Sequence, residues 1–119
     1  ETQPVLSRAT SYIVTDMMQS VVNEGTATVI RSIGFSGPAA GKTGTTDDYT
    51  DAWFIGYTPS LCCGVWVGYD RQQTIFRGAT GGGVAAPIWG RFMKKAMLKS
   101  HFINVKGWYF SMSFLARIR

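Results

Sequence analysis

The sequence predicts an α+β domain with sandwich-like layering, in which an antiparallel sheet of about three strands is flanked by an N-terminal and a C-terminal helix. Apolar residues recur at helical spacing over 8–24 and again over 85–98. Between these segments, three strand-like runs occupy 39–46, 52–57 and 61–69; the second is rich in aromatic residues, and Val65-Trp66-Val67 is the strongest part of the third. The links between the runs are about four residues long, which favours antiparallel hairpins because parallel strands need long crossovers.

The two helices carry recognisable end signals. The first is expected to begin after Ser7, a favoured N-cap residue, and to stop at Gly25. The second has Pro87 in its first turn, where the missing N–H costs no hydrogen bond. The three glycines at 81–83 are expected to form the entry to this helix rather than an anion-binding loop. Residues 26–41 show only a short apolar stretch before several helix breakers, so no element is assigned there.

Charge is distributed unevenly along the 119 residues, although the net charge is only +5. Residues 1–70 hold three Lys or Arg against seven acids, whereas residues 71–119 hold nine Lys or Arg and no acid. Such a basic segment can bind an anionic polymer or anionic lipid, or it can be a solvated helix face with a tail. The second interpretation is favoured. No apolar run of membrane-spanning length and no signal peptide is visible, so neither is expected in this chain.

Cysteine and acidic residues give no sign of a metal site, a disulfide framework or a cofactor. Cys62 and Cys63 are adjacent, so a bond between them would be strained, and the lone His101 lies far along the chain. Both cysteines are expected to be apolar strand residues, and three tryptophans are core candidates. Those tryptophans are Trp53, Trp66 and Trp89. The acidic cluster of the first strand connection is expected to be turn residues: Asp47, Asp48 and Asp51.

A glycine-rich stretch ending in Gly41-Lys42-Thr43 invites comparison with a phosphate-binding loop. That loop requires four residues between its first glycine and the Gly-Lys pair, whereas only three separate Gly37 from Gly41. A helix should follow it, but here Gly44 and two threonines come next. A nucleotide site is therefore not expected.

The same lysine begins an ordered series of motifs. Lys42-Thr43-Gly44 lies within GKTGTT (41–46) and is followed by DAWFIGYTP (51–59), GVWVGYD (64–70) and AAPIW (85–89). This series, with a helix and a Gly-Thr pair upstream, resembles the C-terminal part of the transpeptidase domain of class A penicillin-binding proteins. The resemblance covers about residues 4–99. It implies that 1–100 is the C-terminal portion of such a domain, with an incomplete β-lactamase/transpeptidase-like fold, and that 101–119 is a tail outside it.

The resemblance implies a role in peptidoglycan cross-linking by serine acyl transfer. Family sites combine Ser-x-x-Lys, Ser-x-Asn and Lys-Thr-Gly motifs, take stem peptides ending in D-Ala-D-Ala, and are acylated by β-lactams. By this resemblance Lys42 supplies positive charge, Thr43 and Thr45 offer hydroxyls to the substrate carboxylate, and Gly44 admits the peptide to the strand. The N–H of Thr45 would be an oxyanion donor. No metal or cofactor is implied, and the parent protein would face the periplasm from the bacterial inner membrane.

The sequence lacks the other two motifs. None of its nine serines has Lys three residues on or Asn two residues on. The chain is therefore expected to be a fragment that forms one wall of the cleft and is inactive without the N-terminal half of the domain. It is also expected to associate through an uncovered sheet face. Alternatives are a non-catalytic truncated or frameshifted remnant, which could act as an interaction module, and, remotely, a basic nucleic-acid-binding module. No nucleic-acid partner is expected.

Overall fold

The computed structural model describes residues 4–99 and the strand 113–118, and the remainder of the tail at 101–119 lies outside the described residues. Two helices precede three strands, a short π-helical turn leads into the third helix, and a fourth strand follows. In chain order the elements are α1 (Arg8–Asn23), α2 (Val29–Ser32), β1 (Ala40–Thr45), β2 (Asp51–Tyr57), β3 (Cys62–Gly68), the glycine turn (Gly81–Ala85), α3 (Ala86–Lys99) and β4 (Ser113–Ile118). Within the described part of the chain, no helix is long and apolar enough to cross a membrane.

Capping interactions explain where α1 begins and ends. The Ser7 hydroxyl accepts the N–H of Thr10 at 3.1 Å, which satisfies one of the free amides of the first turn. At the other end, the backbone carbonyl of Ser20 accepts the N–H groups of both Glu24 and Gly25. A Cβ on Gly25 would lie 2.9 Å from the Cα of Val21, so glycine is required for this tight exit from the helix.

The three central strands form the expected antiparallel sheet. Lys42 pairs with Ile55 across β1 and β2, and Trp53 pairs with Trp66 across β2 and β3. The fold class predicted from the sequence, a three-stranded antiparallel sheet with flanking helices, is confirmed. The sheet also has a fourth strand that was not expected: β4, which pairs with β3 in parallel. The order β1-β2-β3-β4 leaves β1 at one edge of the described sheet.

The core lies between α3 and one face of the sheet. Trp89 of α3 is fully buried, with its ring centroid 5.3 Å from that of Phe54 and 5.8 Å from that of Phe35. Its indole N–H donates to the carbonyls of Gly56 at 3.3 Å and Cys63 at 3.0 Å. The large aromatic side chain is therefore buried with its one polar atom satisfied, as a stable core requires.

The opposite face of the sheet is only partly covered. Trp53 and Trp66 lie there, 6.2 Å apart and partly exposed, so the expectation that they belong to the core is wrong. They share this face because they are paired residues on neighbouring strands. On α1, Tyr12 is 73% exposed and Met17 is 57% exposed. These apolar groups are consistent with an isolated chain that associates, which stays a prediction.

Candidate active-site strand

The edge strand β1 carries the Lys-Thr-Gly motif, and Arg31 fixes the chain that leads into it. The Arg31 guanidinium donates to the carbonyls of Phe35 at 2.9 Å and Gly37 at 2.7 Å, and to the side-chain carbonyl of Asn23 at 2.9 Å. One planar cation thus ties the end of α1 to the loop before β1. Local sequence patterns gave no sign of this role because the acceptors come from two segments, the end of α1 and the loop before β1.

Lys42 is exposed at the sheet edge. It lies on the partly covered face, opposite Ile55, and its ammonium group donates to the carbonyl of Thr43 at 2.9 Å. The preceding Gly41 is buried, and a Cβ there would lie 2.6 Å from the ring of Phe54. Because only glycine fits against that ring, β1 can approach β2 closely while Lys42 remains at the surface.

The hydrogen-bond ladder directs part of the β1 backbone outward. The N–H of Thr46 donates to the carbonyl of Asp51 at 3.1 Å, which places these two opposed residues in a hydrogen-bonded pair. Bonded and non-bonded pairs alternate along an antiparallel ladder. The N–H groups of Thr45 and Thr43 are therefore directed away from β2, toward the edge of the described sheet. The use of the Thr45 amide as an oxyanion donor stays a prediction.

Two contacts hold the hydroxyls of Thr43 and Thr45, which we call the threonine pair. The Thr43 Oγ1 lies 2.9 Å from the Oγ1 of Thr26. The Thr45 Oγ1 accepts the N–H of Gly81 at 2.9 Å. Thr26 follows the end of α1, and Gly81 opens the glycine turn. The Gly-Thr pair at 25–26 and the three glycines at 81–83 are visible in the sequence, but nothing in their spacing indicates that they meet β1.

The glycine turn packs directly on the backbone of β1. A Cβ on Gly81 would overlap the carbonyl oxygen of Trp53 and lie 2.6 Å from that of Gly44, and one on Gly82 would overlap the carbonyl of Thr26. By contrast, a Cβ on Gly83 would meet only the Thr80 hydroxyl, at 3.1 Å. The first two glycines are therefore required for this close approach.

Of the three acidic residues expected in the turn after β1, Asp51 instead begins β2 and has structural partners. Asp51 accepts the indole N–H of Trp66 at 2.8 Å and the hydroxyl of Thr50 at 2.9 Å, so its carboxylate joins β2 to β3. Asp47 and Asp48 lie in the turn between β1 and β2, beside an open polar groove of about 670 Å³. The described residues contain no group of three His, Cys, Asp or Glu side chains that could hold a metal ion.

The two cysteines are free thiols on opposite faces of β3, and His101 lies outside the described residues. Cys62 is partly buried, whereas Cys63 is buried in the core. Burial raises the pKa of the Cys63 thiol, and the neighbouring Cys62 adds to the increase. Because the thiolate is the reactive form, Cys63 is poorly suited to act as a nucleophile.

Comparisons with known proteins agree on one family. Residues 1–94 match the model of the penicillin binding protein transpeptidase domain. Penicillin-binding protein 1A of Aquifex aeolicus is 45% identical over 94 residues, which is 79% of this chain and 13% of that protein. The Pseudomonas aeruginosa protein of the same name is 42% identical over 93 residues, which is 78% of this chain and 11% of that protein. The chain therefore spans only a small part of the curated relatives it matches.

The fold is also similar to a solved structure. The 2.6 Å crystal structure of penicillin-binding protein 1A from Haemophilus influenzae superposes with a TM-score of 0.68 at 23% identity. The superposition covers 86% of this chain and 16% of that one. At this level of identity the similarity shows the fold, and the residue roles rest on the site itself.

Proposed function

The chain belongs to the transpeptidase domain family of penicillin-binding proteins, and from that membership we propose that it forms the Lys-Thr-Gly side of a D,D-transpeptidase cleft. Residues 1–100 then constitute the C-terminal portion of the domain. The substrate is a peptidoglycan stem peptide ending in D-Ala-D-Ala, and β-lactams occupy the same position. The reaction is acyl transfer from that peptide to a serine, followed by transfer to an amine or to water.

The observation that carries this proposal is the position of β1 at the edge of the described sheet. With the N–H of Thr45 directed away from β2, a peptide can bind along the edge as an additional strand. The same amide can donate to the oxygen that becomes negative when the carbonyl is attacked. Losing one such donor typically slows acylation by about 10²- to 10³-fold.

Charge and hydroxyl groups on β1 suit a terminal carboxylate. Lys42 places an exposed ammonium group at this edge, and the threonine pair presents two hydroxyls from the other face of the same strand. A cation about 4 Å from a carboxylate contributes about 1 kcal/mol in water and several times more once the ligand excludes water. We infer that Lys42 attracts the carboxylate and that Thr43 and Thr45 fix its orientation.

The chain supplies no serine in a Ser-x-x-Lys or Ser-x-Asn motif. We propose that the nucleophile comes from the part of the transpeptidase domain that precedes these residues in the family. The 119-residue chain alone then forms no acyl-enzyme. In the intact protein, the cleft lies on the periplasmic side of the inner membrane.

A hybrid enzyme tests the proposal. The matching 94 residues of Aquifex aeolicus penicillin-binding protein 1A are replaced with the corresponding residues of this chain, and acylation by a fluorescent penicillin is measured. We expect a labelled hybrid and an unlabelled 119-residue chain. A correctly folded hybrid that is not acylated would instead favour the non-catalytic remnant, a candidate that the missing serine motifs support.

A further inference from the structure

We propose that Thr26 and Gly81 are positioning residues for the carboxylate-binding hydroxyls of the threonine pair, an inference that rests on the proposed function. Neither residue belongs to the Lys-Thr-Gly motif. Thr26 lies 17 positions before Thr43, and Gly81 lies 36 positions after Thr45. The fold brings both against the same face of β1.

The chemistry of the Gly81 contact sets the direction of the Thr45 hydroxyl. A backbone N–H can only donate, so the Thr45 oxygen must be the acceptor in this 2.9 Å bond. A hydroxyl that accepts one hydrogen bond still has its own proton to donate. The contact therefore reserves that proton for an anionic acceptor such as a carboxylate.

The Thr26 contact likewise lets the Thr43 hydroxyl donate its proton to a carboxylate. Either hydroxyl can donate across the 2.9 Å between the two oxygens. When a carboxylate binds, the Thr43 hydroxyl donates to it, and Thr26 can then donate into the Thr43 oxygen. A donor that is itself accepting a hydrogen bond is polarised and becomes a stronger donor. Thr26 thus both orients and strengthens the Thr43 contact.

The glycine turn lies beside both contacts, that of Thr26 with Thr43 and that of Gly81 with Thr45. Gly81 lies against the carbonyl of Gly44 on β1, and Gly82 lies against the carbonyl of Thr26, so the turn supplies one support of the threonine pair and touches the other. Any side chain at Gly81 would push the turn off β1 and break the bond to Thr45. The result is a pair of hydroxyls held in advance of binding, which lowers the entropic cost of fixing the ligand.

Scalar couplings in the 119-residue chain test the positioning directly. Three-bond couplings from the backbone nitrogen and carbonyl carbon to the threonine methyl group report the χ1 rotamer. We expect one rotamer at each member of the pair. Thr26→Val should average the couplings of Thr43 and leave those of Thr45 unchanged, whereas Gly81→Ala should do the reverse.

Matched controls lie close by in the same segments. Thr28 is exposed and makes no side-chain capping bond, so Thr28→Val removes a nearby hydroxyl without touching β1. Gly83→Ala adds a methyl group to the same turn where only the Thr80 hydroxyl is near. Both controls should leave all four couplings unchanged. Thr26→Val is a surface change, so it decides the question even if Gly81→Ala does not fold.

Acylation rates of the hybrid enzyme distinguish a positioning role of Thr26 from a merely structural one. Thr26→Val should slow acylation by a penicillin about 2- to 10-fold, the effect of one hydrogen bond, and leave acylation by its methyl ester unchanged. Thr26→Ser should restore the rate. Unchanged Thr43 couplings, or equal slowing with acid and ester, would overturn the inference. A hybrid without substitutions that does not prefer the free carboxylate would contradict the proposed function instead.

Discussion

The hydroxyl oxygens of Thr26 and Thr43 lie 2.9 Å apart, which joins the segment that follows α1 to the middle of β1. The edge strand β1 is therefore held in place by contacts from other segments. Its backbone is backed by the glycine turn, and its entry is held by Arg31. Under the proposed function a ligand binds the motif at the strand edge, and the geometry of the motif depends on three segments that lie outside it.

Replacing Arg31 tests the anchor at the entry to β1. Arg31→Met should lower the free energy of unfolding by about 2–3 kcal/mol, because charged donors to the carbonyls of Phe35 and Gly37 are lost. Arg31→Lys should recover only part of this, since one ammonium group cannot reproduce the planar fork. Urea unfolding measures the change.

The control for this substitution is Arg91→Met, which removes an exposed cation from α3. We expect it to change the free energy of unfolding by less than about 0.5 kcal/mol. Equal effects at the two arginines would contradict the anchoring role.

The indole N–H of Trp89 satisfies two buried carbonyls, which makes a second prediction about stability. Trp89→Phe keeps an aromatic ring but leaves the carbonyls of Gly56 and Cys63 without this donor. We expect a loss of about 1–3 kcal/mol in the free energy of unfolding. Trp53→Phe, on the partly covered face, should cost clearly less. Thermal unfolding of both variants checks the difference, and similar losses would refute it.

The Cys63 thiol predicts a pH dependence of stability. Because burial raises its pKa, the folded chain keeps the proton at pH values where the unfolded chain, with a thiol pKa of about 8.5, has lost it. The unfolded state then binds fewer protons, so stability falls as the pH rises through about 8.5 toward the folded pKa. Below that range the thiol makes no pH-dependent contribution.

Comparing the chain with Cys63→Val isolates this contribution from other groups that titrate at high pH. We expect the stability difference between the two proteins to be constant from pH 6 to about 8 and to move in favour of the valine variant above it. A difference that does not change with pH up to about 10 would show that the thiol is not responsible.

Local signals account for the parts of the fold that the sequence predicted. The three antiparallel strands follow from strand-like runs joined by short links, and α1 and α3 follow from helical periodicity with end signals. The helix α2 has only four residues, too few to show a period. The glycine turn was expected as an irregular helix entry, and its π-helical form depends on packing against β1.

Long-range contacts explain what the sequence could not predict. Lys42 and its neighbours were identifiable from the motif series, but Thr26, Arg31 and Gly81 act through partners that only the fold brings near. Trp53 and Trp66 look like core residues by composition, yet strand alternation places them on the face opposite Trp89. Pairing of β4 with β3 likewise joins distant segments, so local patterns gave no sign of it.

The rate of acylation of the hybrid enzyme carrying Lys42→Ala tests the central claim most directly. If Lys42 provides the positive charge at the β1 edge, acylation by a fluorescent penicillin should fall by at least about 100-fold, while thermal unfolding stays unchanged. The hybrid carrying Arg91→Ala, which removes a cation from α3, should be acylated at the rate of the unsubstituted hybrid. Acylation of Lys42→Ala at the unsubstituted rate would contradict the assignment of β1 as a wall of the cleft.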